Sequence, residues 1–189
     1  MPPMARPGRS GGPKALHTRS LPAKELRAGP VSGHVRRMEL IVLIGLPAAG
    51  KSSFFRERFS ATHALISKDL MPRALRDKSA RQLSELARLL GSGASVAVDN
   101  TNPRLVDREP LIAVGRRFGA RVVGYFFPPD VAGSLRRNQG REGTARVPKV
   151  AVFLAQRQMQ PPSMTEGFDA LYEVRLAPGP GFEVRSLTS

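Results

Sequence analysis

The sequence predicts an α/β domain of three layers built on a mostly parallel sheet, and two features after residue 37 support this. Short apolar runs, typical of strands, alternate with longer stretches of helical period. The apolar runs are continuous rather than alternating with polar residues, which indicates strands covered on both faces, as in parallel sheets. We therefore expect helices on both sides of the sheet.

The predicted elements follow one another without an internal repeat. Strands are expected over 39–44, 64–66, 95–98 and 121–127, with a last strand or edge hairpin over 171–176 and 182–184. Helices are expected over 51–59, 79–90, 103–118, 130–138 and 147–158. Glycine after a helix and proline at its start are typical boundary signals, and Gly91, Gly119 and Pro103 occupy such positions.

The first 37 residues differ in composition from the rest. They are rich in Pro, Gly, Ser and Arg, and they hold eight Lys or Arg against the single acid Glu25. This composition predicts a disordered basic N-terminal tail over 1–37, followed by one domain over 38–189. The segment could also be an arm that touches nucleic acid, an Arg-rich targeting peptide, or the product of an over-long gene model that begins before Met38.

The charge of the chain favours polyanionic partners. Its 30 Lys and Arg outnumber 15 Asp and Glu, and residues 38–189 alone hold 22 against 14, a charge of +8. Nucleotides and nucleic acid are the partners that such a surface attracts. Coding bias toward arginine would produce the same excess.

Several classes of protein are excluded by composition. The chain has no cysteine, so disulfides, thiolate metal sites and cysteine nucleophiles are ruled out. His63 is the one histidine after residue 37, which argues against imidazole-rich metal sites and Ser-His-Asp triads. The longest apolar run, 40–44, is too short to cross a bilayer, so we expect a soluble, cytoplasmic protein without a membrane partner.

The motif most indicative of function is the segment GLPAAGKS at 45–52. It matches G-x-x-x-x-G-K-[ST] and lies between a predicted buried strand and a predicted helix, which is the context of a phosphate-binding P-loop. Its backbone N–H groups and the start of the helix would face phosphate oxygens, Lys51 would reach the β- and γ-phosphates of ATP, and the Ser52 hydroxyl would hold Mg²⁺. The residues predicted to bind the nucleotide are Gly45, Pro47, Ala48, Ala49, Gly50, Lys51, Ser52, Ser53 and, farther along the chain, Arg137.

Asp99 is a second candidate for the metal. It ends the predicted strand 95–98, and the carboxyl ends of strands in open α/β sheets face the ligand crevice. A carboxylate there can hold Mg²⁺ directly or through water. We expect Thr101 or Asn102, in contrast, to cap the helix that begins at Pro103.

Asp69 and the arginines of 136–146 complete the candidate site. Asp69 follows the second strand, where it could take a proton from an attacking hydroxyl or could cap a turn at Leu70. The segment RRNQGREGTAR lies between two predicted helices, where a lid is expected in a nucleotide-binding domain. Lid arginines can stabilise the charge that develops during phosphoryl transfer.

These motifs together resemble the kinase domain of polynucleotide 5′-hydroxyl kinases and small stand-alone bacterial P-loop kinases of the same group. The segments that carry the resemblance are 45–52, S-K-D at 67–69, D-N-T-N-P at 99–103, R-N…R…G-T…V-P between 137 and 148, and E-G-F at 166–168. The resemblance implies a kinase-type P-loop NTPase fold with a helical lid. It also implies transfer of the γ-phosphate of ATP, with Mg²⁺, to a polynucleotide 5′-hydroxyl. Asp69 would then be the general base, and Arg141 would contact the transferring phosphate.

Departures from the family pattern leave the acceptor open. The family usually has Arg or Asn before its Asp, where this chain has Ser67 and Lys68, and Pro72 occupies the place of an arginine that holds a substrate phosphate in some members. A small-molecule or nucleoside kinase, or an ATPase switch, therefore remain alternatives. Phe168 and the 161–167 loop are candidates for the pocket of the nucleotide base.

Overall fold

The computed structural model describes residues 37–143 and 146–187. The predicted tail up to residue 36, and Thr144 of the predicted lid, lie outside the described residues. Within them the strands are β1 (Glu39–Ile44), β2 (Ala64–Ile66), β3 (Val96–Asp99), β4 (Arg121–Phe126), β5 (Ala170–Leu176) and β6 (Phe182–Ser186). The helices are α1 (Lys51–Arg58), α2 (Lys78–Gly91), α3 (Leu105–Arg117), α4 (Val131–Gln139) and α5 (Lys149–Gln158).

The strands form one sheet in the order β2-β3-β1-β4-β5-β6. The first five are parallel, and β6 pairs antiparallel with β5, so both the mostly parallel sheet and the edge hairpin are confirmed. β1 lies between β3 and β4, with Leu43 opposite Asp99. The loop after β1 therefore emerges beside the carboxyl end of β3.

Helices cover both faces of this sheet. Alternate residues of β1 enter two cores: Leu40 and Val42 pack with Leu86 of α2 and Leu111 of α3, while Ile41 and Leu43 pack with Phe54 of α1 and Val152 of α5. Residues 40–44 are almost completely buried, and each such side chain contributes roughly 1.5–3 kcal/mol by leaving water. The three-layer architecture is confirmed.

The start of α3 departs from the prediction. The helix begins at Leu105 rather than Pro103, and the backbone N–H of Arg104 before it donates to Asp107 Oδ2 at 3.1 Å. The expected caps, Thr101 and Asn102, are therefore wrong. Asn102 has a φ of +42° and its buried side-chain amide donates to the carbonyl oxygen of Leu43 at 2.8 Å, so it ties the loop to β1 instead.

Among the described residues, no helix combines the length and apolar character that crossing a membrane requires.

Candidate active site

The loop between β1 and α1 has the backbone geometry of an anion-binding turn. Gly50 precedes α1 with a φ of +106°, a conformation that costs little only for glycine. A Cβ on Gly45 would lie 2.8 Å from the Cβ of Phe127, so a side chain does not fit there either. No side chain caps the first turn of α1, which leaves its N–H groups available to a ligand.

Lys51 lies buried inside this loop. Its Nζ donates to the carbonyl oxygens of Gly45 at 3.0 Å and Leu46 at 2.7 Å. Burial lowers the pKa of Lys51 from 10.5 to about 8; the charges of Asp99 and Asp69 oppose this shift, and that of Arg141 adds to it. The loop thus holds a desolvated amine at the point where phosphates would enter.

Ser52 and Asp99 form an oxygen pair beside that lysine. The Ser52 hydroxyl donates to Asp99 Oδ2 at 2.5 Å, across 47 positions of sequence, because β1 and β3 are neighbours. Mg²⁺ prefers oxygen ligands and keeps several waters or phosphate oxygens, so one hydroxyl and one carboxylate suit it. In the described part of the chain, no group of three or more His, Cys, Asp or Glu could hold a metal by itself.

Asp69 lies on a 3-10 turn, Lys68–Leu70, that follows β2. Ser67 caps this turn by accepting from the N–H of Asp69 at 3.3 Å, so the capping role considered for Asp69 is wrong. Its carboxylate lines the same cavity as Lys51 and Asp99.

Asn100 holds the turn that carries Asp69, and the sequence analysis missed it. Its Oδ1 accepts from the N–H of Lys68 at 3.0 Å, and its Nδ2 donates to Gln82 Oε1 of α2 at 2.7 Å. One side chain thus joins β3, the turn and α2. Its position directly after Asp99, at the carboxyl end of a strand, was the available signal.

One cavity of about 380 Å³ brings most of the predicted site together. Its lining includes the predicted residues Pro47, Ala48, Ala49, Gly50, Lys51, Ser52, Asp69, Asp99 and Arg141. Three predicted residues do not line it. Gly45 contributes a carbonyl to Lys51 instead, and Ser53 accepts from Arg56 on an exposed face of α1.

Arg137 is the third such residue, and it lies behind the loop. Its Nε donates to the carbonyl oxygen of Ala48 at 2.7 Å. It also borders a second cavity of about 290 Å³, together with Ala49, Pro128, Pro129 and residues 174–176. Arg137 therefore supports the phosphate-binding loop from α4, and it borders the second cavity, which lies on the side of that loop away from the first.

The ends of the lid segment are joined by Asn138, a residue to which the sequence analysis gave no role. Its buried side chain pairs with both backbone groups of Val147: Nδ2 donates to the carbonyl oxygen at 2.8 Å, and Oδ1 accepts from the N–H at 3.1 Å. Arg141 lies between these two anchor points and reaches the first cavity, which Val147 also lines.

The residues proposed for the base pocket lie elsewhere. Phe168 is buried in the core over Gly124 of β4, where a Cβ would lie 3.0 Å from its ring. None of residues 161–168 lines either cavity beside the loop; residues 161–164 instead border a separate space of about 360 Å³. An aromatic residue after a glycine was not distinguishable from a core residue by sequence.

Arg108 explains why the E-G-F segment accompanies the other motifs. This fully buried guanidinium donates to both carboxylate oxygens of Glu166 at 2.6 Å. Its Nη1 donates to the carbonyl oxygens of Asn102, Pro103 and Gln160, each at 3.1 Å. We call this set the Arg108 clasp. It fastens the loop that follows Asp99 to the segment before β5.

The central parallel strand β1 ends in a G-x-x-x-x-G-K-S loop, and its neighbour β3 ends in Asp99. This arrangement defines a P-loop nucleotide-binding domain of the kinase type. Residues 40–162 match the family AAA_33, described as an AAA domain, and the chain belongs to that family.

A curated relative is similar to this chain in sequence, and two solved structures share its fold. A protein of Acanthamoeba polyphaga mimivirus, named as a bifunctional polynucleotide phosphatase/kinase, is 28% identical over 146 residues, covering 74% of this chain. The chain spans only 34% of the length of that relative. A gluconokinase from Sinorhizobium meliloti 1021 has a TM-score of 0.56 and 20% identity, over 76% of this chain and 86% of its own. A fungal RNA kinase has a TM-score of 0.57 and 14% identity, over 75% and 76%. The predicted kinase-type fold is confirmed.

Proposed function

We propose that the protein is an ATP- and Mg²⁺-dependent phosphotransferase that moves the γ-phosphate to the 5′-hydroxyl end of a polynucleotide. The observation that carries this proposal is the single cavity that Lys51, the Ser52–Asp99 pair and Asp69 line together. The name of the mimivirus relative, the shared fold of the fungal RNA kinase and the net charge of +15 support the acceptor class.

The phosphate-binding residues would hold the triphosphate in a fixed place. The N–H groups of Ala48 and of residues 50–53, together with the Lys51 ammonium, would neutralise the β- and γ-phosphates. Ser52 and Asp99 would hold Mg²⁺, which when bound draws charge from the phosphate oxygens. The adenine base of ATP would occupy the second cavity, beside Arg137, because that cavity adjoins the side of the phosphate-binding loop opposite the first cavity.

Asp69 and Arg141 would act on the transfer itself. As the acceptor oxygen forms its bond to the γ-phosphorus, the Asp69 carboxylate would take the hydroxyl proton, and the bond to the bridging oxygen of ADP would break. Arg141 would stabilise the charge on the equatorial oxygens. Asp69 is exposed at the cavity rim, so an incoming hydroxyl can approach it.

A second candidate is a small-molecule kinase. The gluconokinase shares the fold over 86% of its own length, and this phosphate-binding loop would serve any hydroxyl acceptor. Such an enzyme would phosphorylate a sugar acid or a nucleoside and would leave oligonucleotides unlabelled.

The test is transfer of labelled γ-phosphate to 5′-hydroxyl DNA and RNA oligonucleotides by wild type and Asp69→Asn. We expect labelled oligonucleotide from wild type and a loss of roughly 100-fold or more in the variant, the range of general-base catalysis, with ATP affinity unchanged. Asp77→Asn is the matched control, since Asp77 only caps α2 and asparagine also caps helices. Label on gluconate or a nucleoside alone would favour the second candidate. Release as free phosphate alone, undiminished in Asp69→Asn, would indicate an ATPase.

A further inference from the structure

An apolar groove lies on the far side of the turn that carries Asp69. It has a volume of about 480 Å³, and its aliphatic wall is formed by Leu65, Ile66, Leu70, Met71, Pro72 and Leu75. Leu65, Ser67 and Leu70 border both this groove and the cavity of the phosphate-binding loop. A molecule whose hydroxyl lies at Asp69 can therefore place the rest of its atoms in this groove, which we call the acceptor groove.

The wall of the acceptor groove offers few hydrogen-bonding groups. The Ser67 hydroxyl already accepts from the N–H of Asp69, and Glu85 pairs with Arg88 at 2.6 and 3.0 Å. Arg81 is the remaining polar side chain of the lining. A neutral polyol would lose most of its bonds to water on the aliphatic wall, whereas a flat heterocycle would bury an apolar face there.

Leu70 is the feature that points to an occupant. It follows Asp69 directly, yet 73% of it is exposed, and Leu65 beside it is 36% exposed. Large apolar side chains grouped at the rim of a polar cavity indicate a binding surface. Arg73, Arg76 and Arg81 lie on the same stretch of chain, where their charge complements a phosphate backbone.

We propose that the acceptor groove binds the nucleobase of the 5′-terminal nucleotide of the acceptor, and that Leu70 is the principal contact with that base. This inference rests on the proposed function. The groove selects a nucleotide over a polyol by its apolar wall, and the short Lys68–Leu70 turn then places the attached 5′-hydroxyl at Asp69.

The test compares two 5′-hydroxyl oligonucleotides that differ only in whether the first nucleotide carries a base or is abasic. An abasic nucleotide loses the apolar contact of the base with the groove, so we expect kcat/KM of wild type to be roughly 10-fold lower for the abasic oligonucleotide. Leu70→Ala should lower kcat/KM for the complete oligonucleotide by a similar factor and leave the abasic one almost unchanged. Leu105→Ala, an exposed leucine that borders neither space, is the control and should change neither value.

The possible outcomes separate the two proposals. Equal labelling of both oligonucleotides by wild type, or a tenfold difference that persists in Leu70→Ala, overturns the acceptor groove and leaves the proposed function standing. Failure to label any oligonucleotide overturns both. The comparison of the two oligonucleotides needs only the wild-type protein, so equal labelling would overturn the acceptor groove even if a variant failed to fold.

Discussion

Replacing Arg108 by methionine should destabilise the whole domain, because Arg108 is the buried centre of the Arg108 clasp. The substitution leaves the Glu166 carboxylate buried, and among the described residues the N–H of Ser163 is then its one remaining donor, at 3.1 Å. It also removes the donor that the carbonyl oxygens of Asn102, Pro103 and Gln160 share.

The expected size of this effect follows from the burial of both partners. Removing one partner of a buried ion pair costs about 3–5 kcal/mol, a large part of the roughly 5–15 kcal/mol that stabilises a typical domain. At about 2–4 °C per kcal/mol for a domain of this size, Tm should fall by roughly 6–20 °C. Arg108→Met with Glu166→Leu should recover part of the loss, since no unpaired charge then remains.

Thermal denaturation followed by circular dichroism measures this directly, with Arg104→Met as the control. Arg104 lies one turn earlier, at the start of α3, and pairs with Asp107 on the surface, so its replacement should change Tm little. ATP affinity, measured below the transition, should fall in Arg108→Met, because the clasp fixes the loop that follows Asp99. An unchanged Tm in Arg108→Met, or equal losses in the two variants, would refute this reasoning.

Three further predictions concern the loop and the lid. Burial lowers the pKa of Lys51 to about 8 in the folded protein, whereas the pKa is 10.5 in the unfolded chain. Between pH 8 and pH 10.5 the unfolded chain therefore holds more protons than the folded protein, so stability should rise with pH. Over that pH window, the unfolding free energy of wild type should increase by roughly 3 kcal/mol relative to that of Lys51→Met. A difference between the two proteins that stays constant with pH would contradict the burial of the Lys51 amine. Gly50→Ala places a side chain at a φ of +106°, at a cost of about 1–2 kcal/mol, and should lower both Tm and ATP affinity. The control is Gly179→Ala, where the added Cβ meets open space, and it should lower neither. Asn138→Ala removes both bonds to the backbone of Val147, so trypsin should cleave the 139–147 segment faster than in wild type, and an unchanged rate would show that these bonds do not hold the lid.

The sequence predicted elements whose signals are local. The continuous apolar run of β1 and the G-x-x-x-x-G-K-S pattern after it specify a buried strand, a tight turn and a helix start within 20 residues of chain. Element ends were predicted to within two residues, because glycine, proline and periodicity act on the neighbouring backbone. The start of α3 was predicted two residues too early, since the Asn102 side chain that suggested a cap bonds instead to β1.

The candidate site depends on contacts between distant parts of the chain, which the sequence alone indicated only in part. A carboxylate at the end of a strand was recognisable at Asp99, but its bond to Ser52 requires β1 and β3 to be neighbours. The position of Asn100 at the carboxyl end of β3 was recognisable, but neither its bond to Gln82 nor the pairing of Asn138 with Val147 carries a local signal. An asparagine side chain bonds whichever backbone or amide group the fold places beside it.

Sequence by itself determined the class of the protein: a buried parallel strand, a phosphate-binding loop and the order of strands and helices that surrounds them. Tertiary structure decided that Phe168 belongs to the core, that Arg137 supports the loop from behind, and that Arg108 and Glu166, 58 positions apart, clasp the loop after Asp99. The physical reason is that local patterns act through the backbone of a few neighbouring residues. The partner of a buried polar side chain, in contrast, is set by the packing of the whole sheet and its helices.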